Sequence, residues 1–240
     1  MDLIEVQALS FRYRRSSRPA LDGVSFALPA GITGIIGPNG AGKSTLFRLL
    51  LGGLRPTSGS IALCGLDPDA YLRTRPLGYI PEQPTFEPFL TVAEFLDGLS
   101  RIHPPWPAEA APTAGGGPAG AVDVDEIRNR LLSDLSLGQK RRVEIAAALS
   151  GDPDILLLDE PTNGLDPLAV LQLRDRLLAI RRPGRAILVA SHHLDELERI
   201  VDRVVVLREG HVEGVWEAAD AALRFGSLEG LFRERFSECT

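Results

Sequence analysis

The sequence predicts an α/β fold with a mainly parallel sheet, on three observations. Short apolar strands alternate with helix-patterned stretches along most of the chain. The run Ile155-Leu156-Leu157-Leu158 is wholly apolar, as buried strands of parallel sheets are. A glycine-rich turn from Gly37 to Thr45 joins an apolar strand directly to a helix.

The elements follow in order. Leu3 to Leu9, Val24 to Leu28 and Ile32 to Ile36 are apolar-rich runs bounded by Gly or Pro, as strands are. Ser44 to Leu51 has a helix pattern stopped by Gly52-Gly53. Ser60 to Cys64 and Leu77 to Ile80 read as two more strands. Thr91 to Ile102 opens with a Thr cap and has Glu94 three residues on, the signature of a capping box. His103 to Ala121 is dominated by Pro, Ala and Gly, a composition that cannot sustain a helix and implies a mobile surface loop. Helix is expected again over Asp125 to Leu132 and Leu137 to Leu149. The strand from Ile155, a helix from Pro167 to Ile180 and a strand from Ala186 to Ala190 continue the βα rhythm. Val204 to Leu207 and His211 to Trp216 read as strands joined by a turn at Glu209-Gly210. No internal repeat is present, so the 240 residues are expected to form one domain.

Composition excludes several classes. With 44% hydrophobic and 24% charged residues, the chain has the balance of an ordinary globular protein. No apolar run approaches the ~20 residues that span a bilayer. Met1-Asp2-Leu3-Ile4-Glu5 lacks the basic start and apolar core of a signal peptide. A cytoplasmic chain is therefore expected, touching a membrane only through a partner. Cys64 and Cys239 match no metal spacing and are expected to be reduced thiols. A net charge of -6 argues against a chain that grips nucleic acid. The basic clusters Arg12-Tyr13-Arg14-Arg15 and Lys140-Arg141-Arg142 are of the kind that usually forms solvated surface.

Gly37-Pro38-Asn39-Gly40-Ala41-Gly42-Lys43-Ser44-Thr45 satisfies the P-loop pattern in full. Its glycines let backbone N–H groups converge on phosphate oxygens, and the helix behind it adds its partly positive end. Lys43 is suited to neutralise the outer phosphates and the Ser44 hydroxyl to ligate Mg²⁺. The strand from Ile155 ends in Asp159-Glu160. Beside a P-loop, Asp159 can hold Mg²⁺, commonly through a water, and Glu160 can polarise a water for attack on the γ-phosphate. Alone, the pair is equally consistent with helix capping or a surface pair.

Between these motifs lies Leu135-Ser136-Leu137-Gly138-Gln139, followed by a helix rich in Lys and Arg. In this order the motifs resemble those of the ABC ATPases, whose signature sequence has this form, and the resemblance runs from about Leu3 to Leu207. It implies a P-loop NTPase core with a mainly parallel sheet, an N-terminal antiparallel β subdomain and a shortened helical subdomain. The helical part would span about 84–150, interrupted by the Pro/Ala/Gly-rich loop at about 103–121. It also implies ATP with Mg²⁺, a homodimer enclosing two ATPs head to tail, and a separate transmembrane permease. By the same resemblance Tyr13 stacks on adenine, Gln83 touches Mg²⁺ and senses the permease, Asp166 lies at the dimer interface, and His192 contacts the γ-phosphate. Ser136, Gly138 and Gln139 of one subunit would meet the γ-phosphate held by Lys43 of the other. Read without the family, Tyr13 is a strand-edge aromatic with Phe11 as an alternative ring, and Gln83 is a surface glutamine. Asp166 would cap a helix with Pro167 at its first position. His192 and His193, as neighbours on one element, are expected to point apart, against a metal pair.

Leu137 stands where the family usually has glycine, but it keeps the Ser136 hydroxyl and the Gly138 amide, so activity is expected to survive. The tail Leu228-Glu229-Gly230-Leu231-Phe232 resembles the short ending of exporter-type ATPase subunits. The function expected is thus the ATP-hydrolysing subunit of a membrane transporter, an exporter, on the inner face of the cell membrane. The alternative is a soluble ABC-type ATPase. Ribosome-associated relatives carry two such domains with a charged linker and DNA-repair relatives a long coiled coil, and this sequence has neither. A non-hydrolysing binding module is disfavoured by the presence of both Glu160 and His192.

Overall fold

The computed structural model describes residues 2–102 and 124–236. The loop expected over 103–121 and the thiol of Cys239 lie outside the described residues. The strands are β1 (Ile4–Phe11), β2 (Leu21–Leu28), β3 (Gly31–Ile36), β4 (Ser58–Leu63), β5 (Leu77–Ile80), β6 (Ile155–Asp159), β7 (Ala186–Ala190), β8 (Arg203–Arg208) and β9 (His211–Glu217). The helices are α1 (Lys43–Leu50), α2 (Pro68–Thr74), α3 (Val92–Ile102), α4 (Leu137–Ala148), α5 (Pro167–Ala179), α6 (Leu194–Glu198), α7 (Ala218–Phe225) and α8 (Leu228–Phe236).

Six strands form one sheet in the order β5-β6-β7-β3-β8-β9. All pair in parallel except β9, which turns back on β8. That turn is the expected one: Glu209 and Gly210 both take positive φ, at 48° and 85°, as a tight hairpin requires. A second, antiparallel sheet, β2-β1-β4, holds the N-terminal segment. The α/β core with its antiparallel N-terminal sheet therefore matches the expectation.

Side-chain alternation divides the large sheet between two cores. Ile32, Ile36, Leu156, Leu158, Ile187, Val189, Val204 and Val206 face a cluster that includes residues of α4 and α5. Ile35, Ile155, Leu157, Leu188, Val205 and Leu207 face the other cluster, with α1 and the small sheet. Strands covered on both faces are apolar at nearly every position, which explains the unbroken burial of β3, β6 and β7, with Thr33 and the terminal Asp159 as the polar exceptions. Each fully buried aliphatic side chain contributes about 1.5–3 kcal/mol, so these short strands carry much of the stability.

Three local expectations need correction. No helix forms over Asp125 to Leu132; only 3-10 turns appear, at Asp125–Ile127 and Leu132–Asp134. Backbone groups there serve the start of α3 instead, with Val92 N–H donating to Arg130 O at 3.1 Å and Ala93 N–H to Arg128 O at 2.9 Å. Leu132 N–H donates to Leu90 O at 2.9 Å, so the segment is tied to the start of α3 instead of continuing as a helix. Helix α2 was unforeseen, although Asp67 caps it and Pro68 opens it. Arg141 of the basic cluster is buried, at 2% exposure, while Arg12, Arg14 and Arg15 are exposed as expected. The Thr91–Glu94 capping box forms as read, Glu94 accepting from the Thr91 N–H and hydroxyl, both at 2.8 Å.

Gly78 in β5 lies where α4 crosses the sheet, and a Cβ there would overlap Ala148 O and Leu156 Cδ2. Because one of these neighbours is backbone, Gly78→Ala is expected to lower unfolding stability by about 1–3 kcal/mol or more, read from urea titration.

Candidate functional site

Parallel strands β5, β6, β7 and β3 end at the same edge, and the loops leaving those ends meet there. From β3 comes the glycine-rich loop, from β6 Asp159-Glu160, from β7 Ser191-His192, and from β5 Pro81-Glu82-Gln83. The glycines are required by close backbone contacts. A Cβ on Gly37 would overlap Leu207 O, and one on Gly42 would come within 2.7 Å of Ala20 O. The β8–β9 turn braces the loop from behind, Gly210 N–H donating to Ala41 O at 3.1 Å. Helix α1 starts after Gly42 (φ 110°) with no side-chain cap, so its first-turn N–H groups are available to an anion.

Lys43 is only 8% exposed, and its ammonium donates to Gly37 O at 2.6 Å and Pro38 O at 3.3 Å. Burial lowers its pKa, while Glu160 and Asp159 pull it back up. The Asp159 carboxyl is pushed up by burial first, then by the charges of Glu160 and Glu82; a hydrogen bond from Ser44 and the charge of Lys43 oppose this. The Ser44 hydroxyl and the Lys43 charge thus both act on the Asp159 carboxyl.

Glu160 has a φ of 46°, a left-handed conformation rare for a residue with a Cβ. Its N–H donates to Ala190 O at 2.8 Å, which pins the turn to the end of β7. The turn aims the carboxylate at His192: the His192 N–H donates to Glu160 Oε2 at 3.2 Å, and Nδ1 lies 2.9 Å from the same oxygen. Glu160 is buried, with 10% of its side chain exposed, against 52% for His192. His192 and His193 do not point apart as expected; their rings lie 4.1 Å apart at 37°. They sit beyond the end of β7, where strand alternation no longer applies. Among the described residues no cluster of three or more His, Cys, Asp or Glu has a metal-holding arrangement.

Tyr13 stands beside α1, its hydroxyl 3.3 Å from Thr45 Oγ1, with its ring edge-on to Phe11 at 4.8 Å. Phe11 is buried in the small-sheet core and Tyr13 is the exposed ring of the two. Gln83 is exposed. Its neighbour Glu82, which sequence reasoning passed over, accepts from Asn163 Nδ2 at 3.3 Å and bears on the Asp159 carboxyl. Its adjacency to Gln83 was the available signal.

The signature residues form a separate surface. Ser136 caps α4 by accepting from the Gln139 N–H at 3.2 Å, and the Gln139 carboxamide accepts from the Ser136 N–H at 3.0 Å. Arg130 also donates to that carboxamide, at 3.3 Å. Gly138 faces Ala169 of α5. Asp166 caps α5, accepting from the Ala169 N–H at 2.9 Å. A Cβ on Gly164 would stand 2.8 Å from Leu137 Cδ2, so the leucine side chain lies against the loop that ends at Asp166.

Comparisons with known proteins agree with this geometry. The profile of a family described as "ABC transporter" matches residues 21–163. The chain is 35% identical over 216 residues to a protein of Burkholderia orbicola named "Nod factor export ATP-binding protein I"; the match covers 88% of this chain and 70% of that one. A solved structure described as "Structure of ATP binding subunit of ABC transporter" superposes with a TM-score of 0.82 at 30% identity, covering 97% of this chain and 98% of that chain. A second, that of cbiO1 from Clostridium perfringens, part of the ABC transporter complex cbiONQ, gives 0.78 at 27% identity over 97% of this chain and 99% of that one.

Two outcomes test the site's energetics. The Asp159 carboxyl has its pKa raised in the folded state, so its protonated form is the one folding favours. Its charge disfavours folding once pH rises through the raised value, and has no effect below the unfolded value. Asp159→Asn is therefore expected to stabilise the nucleotide-free protein at neutral pH and lose that gain in acid, as measured by urea unfolding at both. Gly164 has a φ of 71° besides its contact with Leu137. Gly164→Ala should cost about 1–3 kcal/mol, and adding Leu137→Ala should recover the part due to contact, by a double-mutant cycle.

Proposed function

Since the chain belongs to the ABC transporter family of ATP-binding domains, which hydrolyse ATP, we propose that it is the ATPase subunit of an exporter. It works as a homodimer on a separate transmembrane permease, at the cytoplasmic face of the membrane. Among the described residues no helix is long and apolar enough to cross a membrane, which is consistent with contact through a partner. Export is supported by the name of the Burkholderia relative, and assembly with other subunits by the membership of the Clostridium protein in a transporter complex.

One observation carries the catalytic reading: the buried Glu160 carboxylate lies beside His192 at the strand edge shared with Lys43 and Asp159. In this reading the loop from Gly37 to Thr45 wraps the phosphates of ATP, with backbone N–H groups and the Lys43 ammonium on their oxygens. Tyr13 presents its exposed ring to the adenine. Ser44 and Asp159 would supply the hard oxygen donors that Mg²⁺ prefers, with Gln83 as a third ligand. Held there, Mg²⁺ would neutralise charge on the phosphates. Glu160 accepts a proton from the attacking water as its oxygen bonds to the γ-phosphorus and the bond to the ADP oxygen breaks. His192, held by Glu160 through its backbone N–H and Nδ1, contacts the γ-phosphate.

Ser136, Gly138 and Gln139 cap a helix N-terminus away from their own chain's P-loop. The reading gives them the γ-phosphate of a second copy, to which a helix N-terminus offers backbone donors. Asp166, at the end of the neighbouring loop, lies at the same interface. Dimer closure then completes both sites and can be coupled to movement of the permease.

Glu160→Gln is expected to lower ATP turnover by about 10²–10⁴-fold while ATP still binds and holds the dimer, seen by phosphate release and size-exclusion chromatography. Lys43→Ala should instead weaken nucleotide binding itself. Parent-like hydrolysis by Glu160→Gln would remove Glu160 as the base. Recovery of the tagged chain with a multi-spanning membrane protein supports the permease reading, whereas recovery only from the soluble fraction favours a soluble ATPase.

A further inference from the structure

The middle residue of Lys140-Arg141-Arg142 lies inside the protein, and none of the roles above uses it. Arg141 is 2% exposed, and Glu144, one turn later on α4, is 5% exposed. They form an ion pair at 2.8 Å. The guanidinium also reaches off the helix: Nη1 donates to Pro81 O at 2.8 Å and Nη2 to Glu82 O at 3.1 Å. These carbonyls belong to the two residues immediately before Gln83.

A single planar fork thus grips two consecutive carbonyls of the Gln83 loop, and it is rooted in the helix whose first turn carries Ser136, Gly138 and Gln139. A fork of fixed geometry can fix both carbonyls in orientation, which a lysine ammonium cannot do equally well. Burial acts against both charges: it lowers the Arg141 pKa, and it raises the Glu144 carboxyl to about 7 even with Arg141 alongside. Apolar side chains of similar volume would fill this space at least as favourably as a buried pair. Stability alone therefore gives no reason for an ion pair here, whereas orientation of the loop does.

We propose that Arg141, held by Glu144, is a positioning residue that couples the Gln83 loop to the helix beginning at Ser136. The inference rests on the reading of Gln83 as a residue of the hydrolytic site. When the loop moves toward or away from bound nucleotide, the fork carries that displacement into α4, and movement of α4 displaces Gln83 in return.

The test uses ATP turnover against ATP concentration for the full chain and four variants: Arg141→Met with Glu144→Leu, Arg141→Lys, Gln83→Ala, and the Met/Leu pair combined with Gln83→Ala. The Met/Leu pair removes both charges together, so no buried charge is left unpaired, and its melting temperature should stay near the parent's. The expected result is a kcat lower by about tenfold with KM for ATP changed less than about twofold. Arg141→Lys, which can still reach one carbonyl, should recover part of that loss. In the Gln83→Ala background the Met/Leu pair should change kcat by less than about twofold, because the coupled group is already gone. Parent-like kcat in a Met/Leu variant that melts like the parent overturns the proposal, and so does an undiminished loss in the Gln83→Ala background. Parent-like turnover by Gln83→Ala alone overturns the assignment of Gln83 itself, and the coupling with it. Should the Met/Leu pair not fold, Glu144→Gln takes its place, since it keeps an acceptor of the same size. A loss of about threefold that vanishes with Gln83→Ala supports the coupling; no loss, or one that persists, overturns it.

Discussion

Parallel pairing of β6, β7 and β3 is the constraint on which the site depends. Register fixes Asp159 opposite Ala190 and Ile35 opposite Ala190 from the other side, so the three carboxyl ends are level. The P-loop, the acidic pair and the Ser191-His192 segment can meet only because those ends are level. A strand buried on both faces cannot slip by one residue without moving its side chains into the opposite core. The same apolar packing that stabilises the sheet therefore sets the position of each polar group at its edge. The antiparallel β9 adds to this from outside, because its turn braces the glycine loop.

The edge is electrostatically loaded. Burial and mutual repulsion push the Asp159 carboxyl up, and burial pushes Lys43 down, so both groups are held away from their preferred solvation. Glu160 adds backbone strain at a left-handed φ. Costs of this kind persist where surrounding structure over-determines them, and here the bond from Glu160 N–H to Ala190 O and the buried strands supply that support. An anion with its counter-cation is the natural complement: phosphate oxygens would satisfy Lys43 and the first turn of α1, and Mg²⁺ would satisfy the carboxylates.

Away from the edge, the described part of the region between β5 and β6 packs Val92, Ile127, Leu132, Leu135 and Val143 into the core shared with the large sheet and adds directional polar contacts to that packing. Helix α3 is held by its capping box and by backbone bonds to the 128–132 segment. Helix α4 is held at its start by the Ser136–Gln139 box and in its middle by the Arg141–Glu144 pair. Leu137 lies on the loop at Gly164, which joins the start of α4 to the loop that leads into α5.

What the sequence determined by itself was everything encoded in contiguous residues. The glycine loop, the apolar strand ending in Asp159-Glu160, the Thr91–Glu94 and Ser136–Gln139 caps and the Glu209-Gly210 turn each follow from local steric and hydrogen-bonding rules. Tertiary structure decided what depends on partners distant in the chain. The 128–132 segment, helical by pattern, gave its backbone groups to α3. His192 and His193 came together because they leave the strand just before its alternation would separate them. Arg141, one of three basic residues in a row, went inward because Glu144 and the carbonyls of Pro81 and Glu82 wait there. No local pattern contains that information, since a charged side chain is buried only where the fold brings its hydrogen-bond partners to it.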